Sequence, residues 1–318
     1  MAFELTPLDI VIFVGFIAAV VTVGMLKSRH ENESESYFLA GRGLTGLLIG
    51  ISLIAANIST EQFVGMTGQA ADYQGLAPAS YDWFPAISLV IIAFFLLPYF
   101  LRAGIFTMPE FLERRYTHWA RLIMAAFSVP VLVLLVACVV YSGALTLRTA
   151  FAGQNLFGII PMDLPTCSWL IGLVAAAYVT AGGLKACAWA DLIQGTALIV
   201  GGGLITWFAF SKLGQTPIAD LTPAGDVMPA LTPTAGALER FTTLNAPKLH
   251  LALPRGDANL PWTALVIGLW IPNFYYWGLN QYVTQRTLGA RSLAEGQKGL
   301  VLAAWIHLFL PLVLIVPG

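Results

Sequence analysis

The chain has 318 residues, of which 58% are apolar and only 10% carry a charge, and its net charge is −1. Soluble domains are about 45–50% apolar and about 25% charged, so this composition excludes a water-soluble globular domain. The near-zero net charge gives no basis for a nucleic-acid partner. Apolar runs of about 20 residues recur along the chain, which is the length that a helix needs to cross a bilayer.

The apolar runs predict eight membrane-spanning helices. We expect them at 8–26, 46–71, 78–101, 118–149, 158–180, 188–211, 261–282 and 298–317. The first run is too long for the apolar part of a signal peptide and follows no basic residue, so we interpret it as a span. The sequence therefore predicts an all-α polytopic membrane protein.

The basic residues of the loops predict the orientation, because cytoplasmic loops of membrane proteins are enriched in Lys and Arg. Eleven of the 16 basic residues lie on one side of the predicted spans: Lys27, Arg29, Arg42, Arg102, Arg114, Arg115, Arg121, Lys185, Arg286, Arg291 and Lys298. This side is predicted to be cytoplasmic, so the N-terminus lies outside. With three cysteines in apolar segments and no disulfide spacing, we interpret Cys138, Cys167 and Cys187 as packing residues.

The second span contains an unusual polar run in the middle of an apolar stretch. Asn57, Ser59, Thr60, Glu61 and Gln62 follow one another almost directly, with glycines on both sides. Polar groups in hydrocarbon cost several kcal/mol, so the run is expected to face protein, water or a ligand. For a single residue, hydrogen bonding between helices is the alternative. An unwound helix at this depth would expose backbone carbonyls that can coordinate a cation.

The seventh span repeats this pattern between Trp270 and Tyr282. Pro272 and Gly278 are helix-breaking residues, and the polar and aromatic side chains between 273 and 281 are Asn273, Tyr275, Tyr276, Asn280 and Gln281. Amide groups beside aromatic rings suit a neutral polyol, whose hydroxyls form hydrogen bonds while its C–H faces stack. An aromatic belt at the membrane interface is the alternative.

Three isolated polar residues each allow a structural and a functional interpretation. Asp82 lies near the external end of the third span, where it caps the helix or binds a ligand. Asp191 lies just inside the sixth span, where capping of the helix N-terminus competes with a role in ion passage. His307 lies inside the last span as a satisfied core histidine or as a ligand.

The sequence contains no nucleophile–base arrangement, no metal-type spacing of His and Cys, and no phosphate-binding loop. We therefore predict that the protein is not an enzyme and needs no cofactor. The missing phosphate-binding motif also argues against an ATP-driven pump in this chain.

Four motifs resemble the sodium/solute symporter family, in particular the bacterial sodium/galactose symporter and the sodium/glucose cotransporters. These motifs are Phe38–Arg42, Ala55–Gly65, Tyr178–Gln194 and Asn280–Gly299, and they occur in the family's order. The resemblance implies a LeuT-type fold, in which a leading helix precedes two five-helix repeats of inverted topology, and a location in the cell inner membrane.

This resemblance divides the chain into a leading helix with its cytoplasmic loop (1–45), a first repeat (46–211), a long external loop (212–260) and the first two helices of a second repeat (261–318). It also implies a truncated member, because three helices of the second repeat lie beyond residue 318. The sodium site is then only half present. Its expected ligands here are the backbone carbonyls of Ala55 and Ile58.

The resemblance further implies roles for side chains. Gln62 and Asn273 are expected to hydrogen-bond a sugar, Tyr276 to stack on it as a gate, and Asp191 to help sodium leave inward. Asn57, Glu61 and Arg286 are candidates for structural or gating roles.

Four expected galactose-contact positions depart from the family's residues. Asp82 stands where the family has Glu, Pro85 where it has Ser, Leu135 where it has Asn, and His307 where it has Lys. Asp82 and His307 remain candidate solute contacts. Lost hydrogen-bonding groups favour a different solute, since unpaired polar groups reject near-isosteres. The resemblance therefore implies another sugar, a cyclitol or a related neutral solute.

Three functions are consistent with these patterns. The first is sodium-driven uptake of a sugar-like solute by alternating access, for which sodium must raise the affinity for the solute. The second is a transport-dead binding or sensor module, which binds solute regardless of sodium. The third is a proton-coupled carrier that uses Glu61, Asp82 or Asp191.

Overall fold

The computed structural model describes residues 6–28, 34–156, 159–225 and 229–318. Arg29, which was counted with the cytoplasmic basic residues, lies outside the described residues, as do parts of the segments 1–45 and 212–260. Between its loops, the described chain forms helices and one hairpin, in which β1 (Asn155–Leu156) pairs antiparallel with β2 (Ile160–Pro161).

The helices are numbered in chain order. They are α1 Pro7–Lys27, α2 Ser34–Leu39, α3 Gly46–Asn57, α4 Thr67–Ala71, α5 Ser80–Ile91, α6 Leu97–Ala103, α7 Met108–Arg115, α8 His118–Ala150, α9 Leu164–Gln215, α10 Ala237–Leu244, α11 Trp270–Gly278, α12 Gln281–Leu288 and α13 Leu293–Leu314. The π-helical segments Glu61–Met66, Ile92–Leu96 and Ala264–Gly268 are inserted next to α4, α6 and α11.

Within the described residues, five helices are long and apolar enough to cross a membrane, and the bent pair Gly46–Asn57 and Glu61–Ala71 makes a sixth. Together these helices cover seven of the eight predicted spans, because α9 contains two of them. Two predicted spans are joined in α9, whose halves meet at Gly183, and glycine is needed there because the residue has a φ of 57°. The predicted span 261–282 is interrupted between α11 and α12.

Helix α3 lies at the centre of the helical packing, between α9 and α13. It approaches α13 through small residues: a Cβ added to Gly50 would lie 2.8 Å from Leu302 Cδ2, and one added to Gly299 would lie 2.6 Å from Ile49 Cγ2. Small residues allow membrane helices to approach closely, and van der Waals contact then holds them together. These contacts hold α3 closely against α13.

Within its described part, the long segment 212–260 contains α10 and two short 3₁₀ turns. Arg240 is buried and donates hydrogen bonds to the carbonyls of Leu213 and Thr216 at 2.9 and 2.6 Å. A cation at this position stabilises the C-terminal end of α9, where helix carbonyls lack intrahelical partners.

Candidate ion and solute site

The polar run of the second predicted span forms a break between two helices. Helix α3 ends at Asn57, Ile58 is extended with ψ 121°, and the chain continues as a π-helix from Glu61 at an angle of 58°. The Gln62 side-chain oxygen accepts hydrogen bonds from Ser59 N and Ser59 Oγ, both at 2.8 Å. This side chain replaces the helical partner that Ser59 N would otherwise find in the Ala55 carbonyl, so the predicted unwinding is confirmed.

The break leaves backbone carbonyls without helical partners. Among the described residues, neither the Ala55 nor the Ile58 carbonyl accepts a hydrogen bond, whereas the Ala56 carbonyl accepts one from Tyr282 OH at 3.1 Å. Backbone carbonyls inside proteins are normally paired. Two unpaired carbonyl oxygens at a helix break are suitable ligands for a hard monovalent cation, whose coordination is built from oxygen atoms.

A buried hydrogen-bonded group lies beside this break, and we call it the Arg286 network: Ser52, Asp191, Tyr282 and Arg286. Asp191 Oδ2 accepts from Ser52 Oγ at 2.5 Å and from Arg286 Nη2 at 3.0 Å. Arg286 Nε also donates to Ser52 Oγ at 2.7 Å, and Nη1 donates to the Tyr282 carbonyl at 2.5 Å. The network thus connects α3, α9 and α12 through a salt bridge that is largely shielded from solvent.

Tyr282 extends the network to the aromatic part of the broken seventh span. Its hydroxyl is hydrogen-bonded to the Tyr276 hydroxyl and donates to the Ala56 carbonyl. The two rings meet edge to face with centroids 5.9 Å apart. A movement of α11 that displaced Tyr276 would therefore also displace the end of α3, because the Tyr282 side chain contacts both.

A second buried pair joins α5 to α13. His307 Nδ1 lies 3.3 Å from Asp82 Oδ1, and the two residues are 0% and 2% exposed. Within the described part of the chain, Asp82 Oδ2 and His307 Nε2 have no hydrogen-bond partner. The Trp277 ring lies edge-on to the imidazole, with centroids 5.2 Å apart. This pair offers one acceptor and one ring nitrogen to a third molecule.

The structure decides several of the alternatives left by the sequence. Asp82 and Asp191 are not capping residues, because their carboxylates contact His307 and the Arg286 network rather than the backbone at a helix N-terminus. His307 is not a satisfied core histidine. Asn273 instead donates to the Leu269 carbonyl one turn earlier at 2.7 Å, a local bond within its own segment.

The predicted side chains separate into groups rather than forming one cluster. Asp191 and Arg286 come together, Tyr276 joins them through Tyr282, and Asp82 meets His307 on the other side of Trp277. The remaining candidates lie at the helix break: Asn57 and Gln62 are half-buried, and Glu61 is exposed.

Sequence reasoning missed three residues of these groups: Ser52, Tyr282 and Trp277. Ser52 lies within the apolar run of α3, and a lone serine there gives no signal by itself. Tyr282 closes the aromatic motif of the seventh span and follows Asn280, whose side chain accepts from Tyr282 N at 3.3 Å. A search for buried hydroxyls one or two turns from the polar run would have found Ser52.

Residues 37–317 match the model of the sodium:solute symporter family. The match covers most of the chain, and its limits enclose both the break in α3 and the Arg286 network. The chain belongs to the sodium:solute symporter family. It is a multi-pass inner-membrane protein of this family, as the apolar helices and the bacterial relatives indicate together.

Two bacterial relatives align with 99% of the chain. A sodium/glucose cotransporter of Vibrio parahaemolyticus is 38% identical, and an uncharacterised symporter, YidK, of Escherichia coli K12 is 36% identical. The chain covers 55% and 52% of these two proteins, so it spans about half the length of the curated relatives that it matches.

A solved structure has the same fold. It is a substrate-bound, outward-open state of a Na⁺-coupled sialic acid symporter, which superimposes with a TM-score of 0.82 at 21% sequence identity. The alignment covers 99% of this chain and 60% of that protein. The predicted LeuT-type fold is therefore confirmed.

Proposed function

We propose that the protein is a sodium-coupled symporter of a sugar or a related neutral polar solute, and that this chain supplies the broken helices around which alternating access occurs. The observation that carries the proposal is the break after Asn57, where the Ala55 and Ile58 carbonyls accept no hydrogen bond from the described residues. The names of the relatives, a sodium/glucose cotransporter and a Na⁺-coupled symporter, support sodium as the coupling ion.

On the ion side, the Ala55 and Ile58 carbonyls bind sodium. Asn57 and Glu61 flank them and act on the shape of the break rather than on the ion, because Glu61 is exposed and its backbone N–H is held by Ser59 Oγ at 3.2 Å. Asp191 is the next anionic group toward the predicted cytoplasmic side. A sodium ion that reaches Asp191 competes with Arg286 for the same carboxylate oxygen.

On the solute side, hydroxyl groups of the solute hydrogen-bond the Asp82–His307 pair, Gln62 and Asn273, while Tyr276 stacks on a C–H face. The buried Asp82 Oδ2 and His307 Nε2 atoms support this role, since a buried polar atom without a partner costs about 1–3 kcal/mol. A carboxylate accepts from a hydroxyl, and the imidazole nitrogen either donates or accepts, so neighbouring hydroxyls of one solute satisfy both atoms.

Arg286 links the two sides in this proposal. It holds Asp191 to Ser52 and the Tyr282 carbonyl, and Tyr282 in turn contacts both Tyr276 and the Ala56 carbonyl. Sodium bound at the break thus favours one position of α11, and the solute gate follows. The physical requirement is reciprocal: sodium raises solute affinity by the factor by which solute raises sodium affinity.

The test is uptake of radiolabelled glucose and of myo-inositol by proteoliposomes that contain the protein expressed from its own gene. An inward sodium gradient should drive accumulation of at least one of these solutes above the level reached in choline. Solute binding that is unchanged by sodium would instead identify a binding or sensor module. Accumulation that follows a pH gradient without sodium would identify a proton-coupled carrier.

A further inference from the structure

An apolar cavity of about 690 Å³ lies between α6, α7 and α11, away from the Arg286 network. Its walls are largely aromatic and aliphatic and include Tyr99, Phe100, Phe111, Phe274 and Leu279. The volume falls within the range of about 300–1,000 Å³ that is typical of ligand pockets in proteins.

Two arginines at the end of α7 lie at this cavity. Arg114 pairs with Glu110 at 2.5 Å and also donates to the Ala103 carbonyl. Arg115 lines the cavity as well, and no carboxylate lies within ion-pair distance of it among the described residues. The Arg115 guanidinium lies 6.0 Å from the centroid of the Tyr116 ring, which does not neutralise its charge. An apolar interior with a guanidinium that has no carboxylate partner at its edge is complementary to an amphipathic anion.

The other nearby carboxylate does not neutralise Arg115. Glu113 accepts a hydrogen bond from His118 at 2.9 Å and from Arg121 at 2.7 Å. These two hydrogen bonds, with that from His118 the larger influence, lower the pKa of Glu113, so this side chain is anionic and already shared between two partners. A positive charge is therefore left at the cavity.

The cavity lies at the depth of a membrane interface. Tyr116 follows α7 directly, Trp119 lies in the first turn of α8, and their side chains are 67% and 72% exposed. Exposed Tyr and Trp side chains concentrate where the lipid head groups meet the hydrocarbon. The basic loops assign this side of the membrane to the cytoplasm, whose leaflet carries the anionic lipids.

We propose that this cavity is a binding site for an anionic phospholipid of the cytoplasmic leaflet. The phosphate group contacts the guanidinium of Arg115, with Arg114 beside it, and one acyl chain enters the cavity between Phe111 and Phe274. Arginine suits this role because its planar fork of N–H groups matches the oxygen atoms of a phosphate.

Such a lipid touches a mobile element of the proposed transport cycle. Phe274 belongs to α11, and Leu279 is the first residue after this helix. The acyl chain therefore contacts the segment that also carries Tyr276. The lipid site does not depend on sodium or solute. Lipid binding and transport are therefore tested separately.

The experiment is native mass spectrometry of the purified protein, titrated with phosphatidylglycerol or with phosphatidylcholine of the same chain length. We expect preferential retention of phosphatidylglycerol. Arg115→Gln should reduce its affinity roughly fivefold, the usual effect of one basic residue at an anionic membrane surface. The matched control is Arg291→Gln, which removes an exposed arginine from the same predicted side but not from the cavity, and it should leave the affinity unchanged.

A second variant tests whether lipid binding needs the cavity itself or only the positive charge at the surface. Ala103→Trp keeps both arginines but fills the cavity that Ala103 lines, and it should remove the preference for phosphatidylglycerol. Equal retention of the two lipids by the unchanged protein would overturn the proposal. Retention of phosphatidylglycerol that is as strong in Ala103→Trp as in the unchanged protein would also overturn it, because binding would then need only charge.

Discussion

Two buried acid–base pairs hold the helices of this molecule together, and they differ in how completely their atoms are hydrogen-bonded. In the Arg286 network, the Asp191 carboxylate oxygen has two donors, and Arg286 contacts three acceptors on α3, α9 and α12. In the Asp82–His307 pair, a single 3.3 Å contact joins the side chains, and one buried atom of each has no partner among the described residues.

This difference separates a contact that organises helices from one that is prepared for a ligand. A fully paired buried network rigidifies the helices that it joins. An incompletely paired one is costly unless another molecule completes it. The comparison therefore predicts that substitutions in the Arg286 network act mainly on stability, whereas substitutions in the Asp82–His307 pair act mainly on solute affinity.

The largest effect is expected for Arg286→Ala. It leaves the Asp191 carboxylate buried without its cation, which typically costs about 3–5 kcal/mol. The free energy of unfolding is measured by denaturant titration in detergent micelles. The control Arg291→Ala removes an exposed arginine shortly after the end of α12 and should change stability by less than about 0.5 kcal/mol.

A double substitution sharpens this test. Arg286→Met combined with Asp191→Leu removes both charges at once, and it should recover most of the lost stability because no unpaired charge remains buried. If Arg286→Ala proves as stable as Arg291→Ala, the salt bridge does not organise these helices, and the assignment of a mainly structural role to the Arg286 network is wrong.

The next effect concerns the approach of α9 to α3. A Cβ added to Gly195 would lie 2.9 Å from Ala55 Cβ, which is too close without a shift of one helix. Gly195→Ala should therefore separate Ser52 from Asp191 and destabilise the protein by about 1–3 kcal/mol, as overpacking does. The matched control in the same helix is Gly201→Ala, where nothing lies within 4 Å of an added Cβ.

For Gly201→Ala, we expect the stability to stay the same or to rise slightly, because alanine has a higher helix propensity than glycine. Equal losses in both glycine variants would show that the close contact at Ala55 is unimportant. The same unfolding titration measures both.

The second half of the comparison is tested at Asp82. Asp82→Asn keeps the shape of the side chain but removes its charge, and it should weaken solute binding about 10- to 100-fold, since a hydrogen bond to a charged group contributes about 1.5–3 kcal/mol. Solute affinity is measured by isothermal titration calorimetry with a solute that the uptake test identifies. Stability should change far less than in Arg286→Ala.

Ser88→Ala is the control for Asp82→Asn. Ser88 Oγ is also buried and without a partner among the described residues, but it belongs to no acid–base pair. Its removal should leave solute affinity unchanged. A loss of affinity in Ser88→Ala that matches the loss in Asp82→Asn would mean that general packing of α5, rather than the Asp82–His307 pair, determines binding.

The smallest effect is expected for Tyr282→Phe, which removes the hydrogen bonds to the Ala56 carbonyl and to Tyr276 but keeps the ring. A stability loss of about 0.5–1.5 kcal/mol is typical for one such bond. Tyr276→Phe removes only the bond between the two hydroxyls and should cost less. If sodium affinity changes equally in the two variants, the hydrogen bond to the Ala56 carbonyl does not influence sodium binding at the helix break.

Much of the candidate site was visible in the sequence because its signals are local. The polar run from Asn57 to Gln62 interrupts an apolar stretch, and the structure breaks the helix at this place. Gly278 was named as a helix breaker, and α11 ends there. The joins within the spans were less visible, because the hydropathy pattern does not register how Gly183 connects the two halves of α9 or how Asn280 restarts a helix.

The partners of the site residues were not visible in the sequence. Asp191 and Arg286 are 95 residues apart, and Asp82 and His307 are 225 residues apart. Ser52, which completes the Arg286 network, has no distinguishing neighbour along the chain. No local pattern specifies which side chains meet across such distances.

The sequence by itself determined that the chain lies in a membrane, that its second span is interrupted by polar residues, and that it resembles the symporter family. These properties follow from hydropathy, from the cost of polar groups in hydrocarbon and from motifs that are continuous along the chain. Only the tertiary structure decided that, among the described residues, the Asp82–His307 pair has buried side-chain atoms without a partner and the Asp191–Arg286 pair has none. The contacts of Asp191 depend on how closely α9 approaches α3 at Gly195, and close packing is a property of two surfaces together.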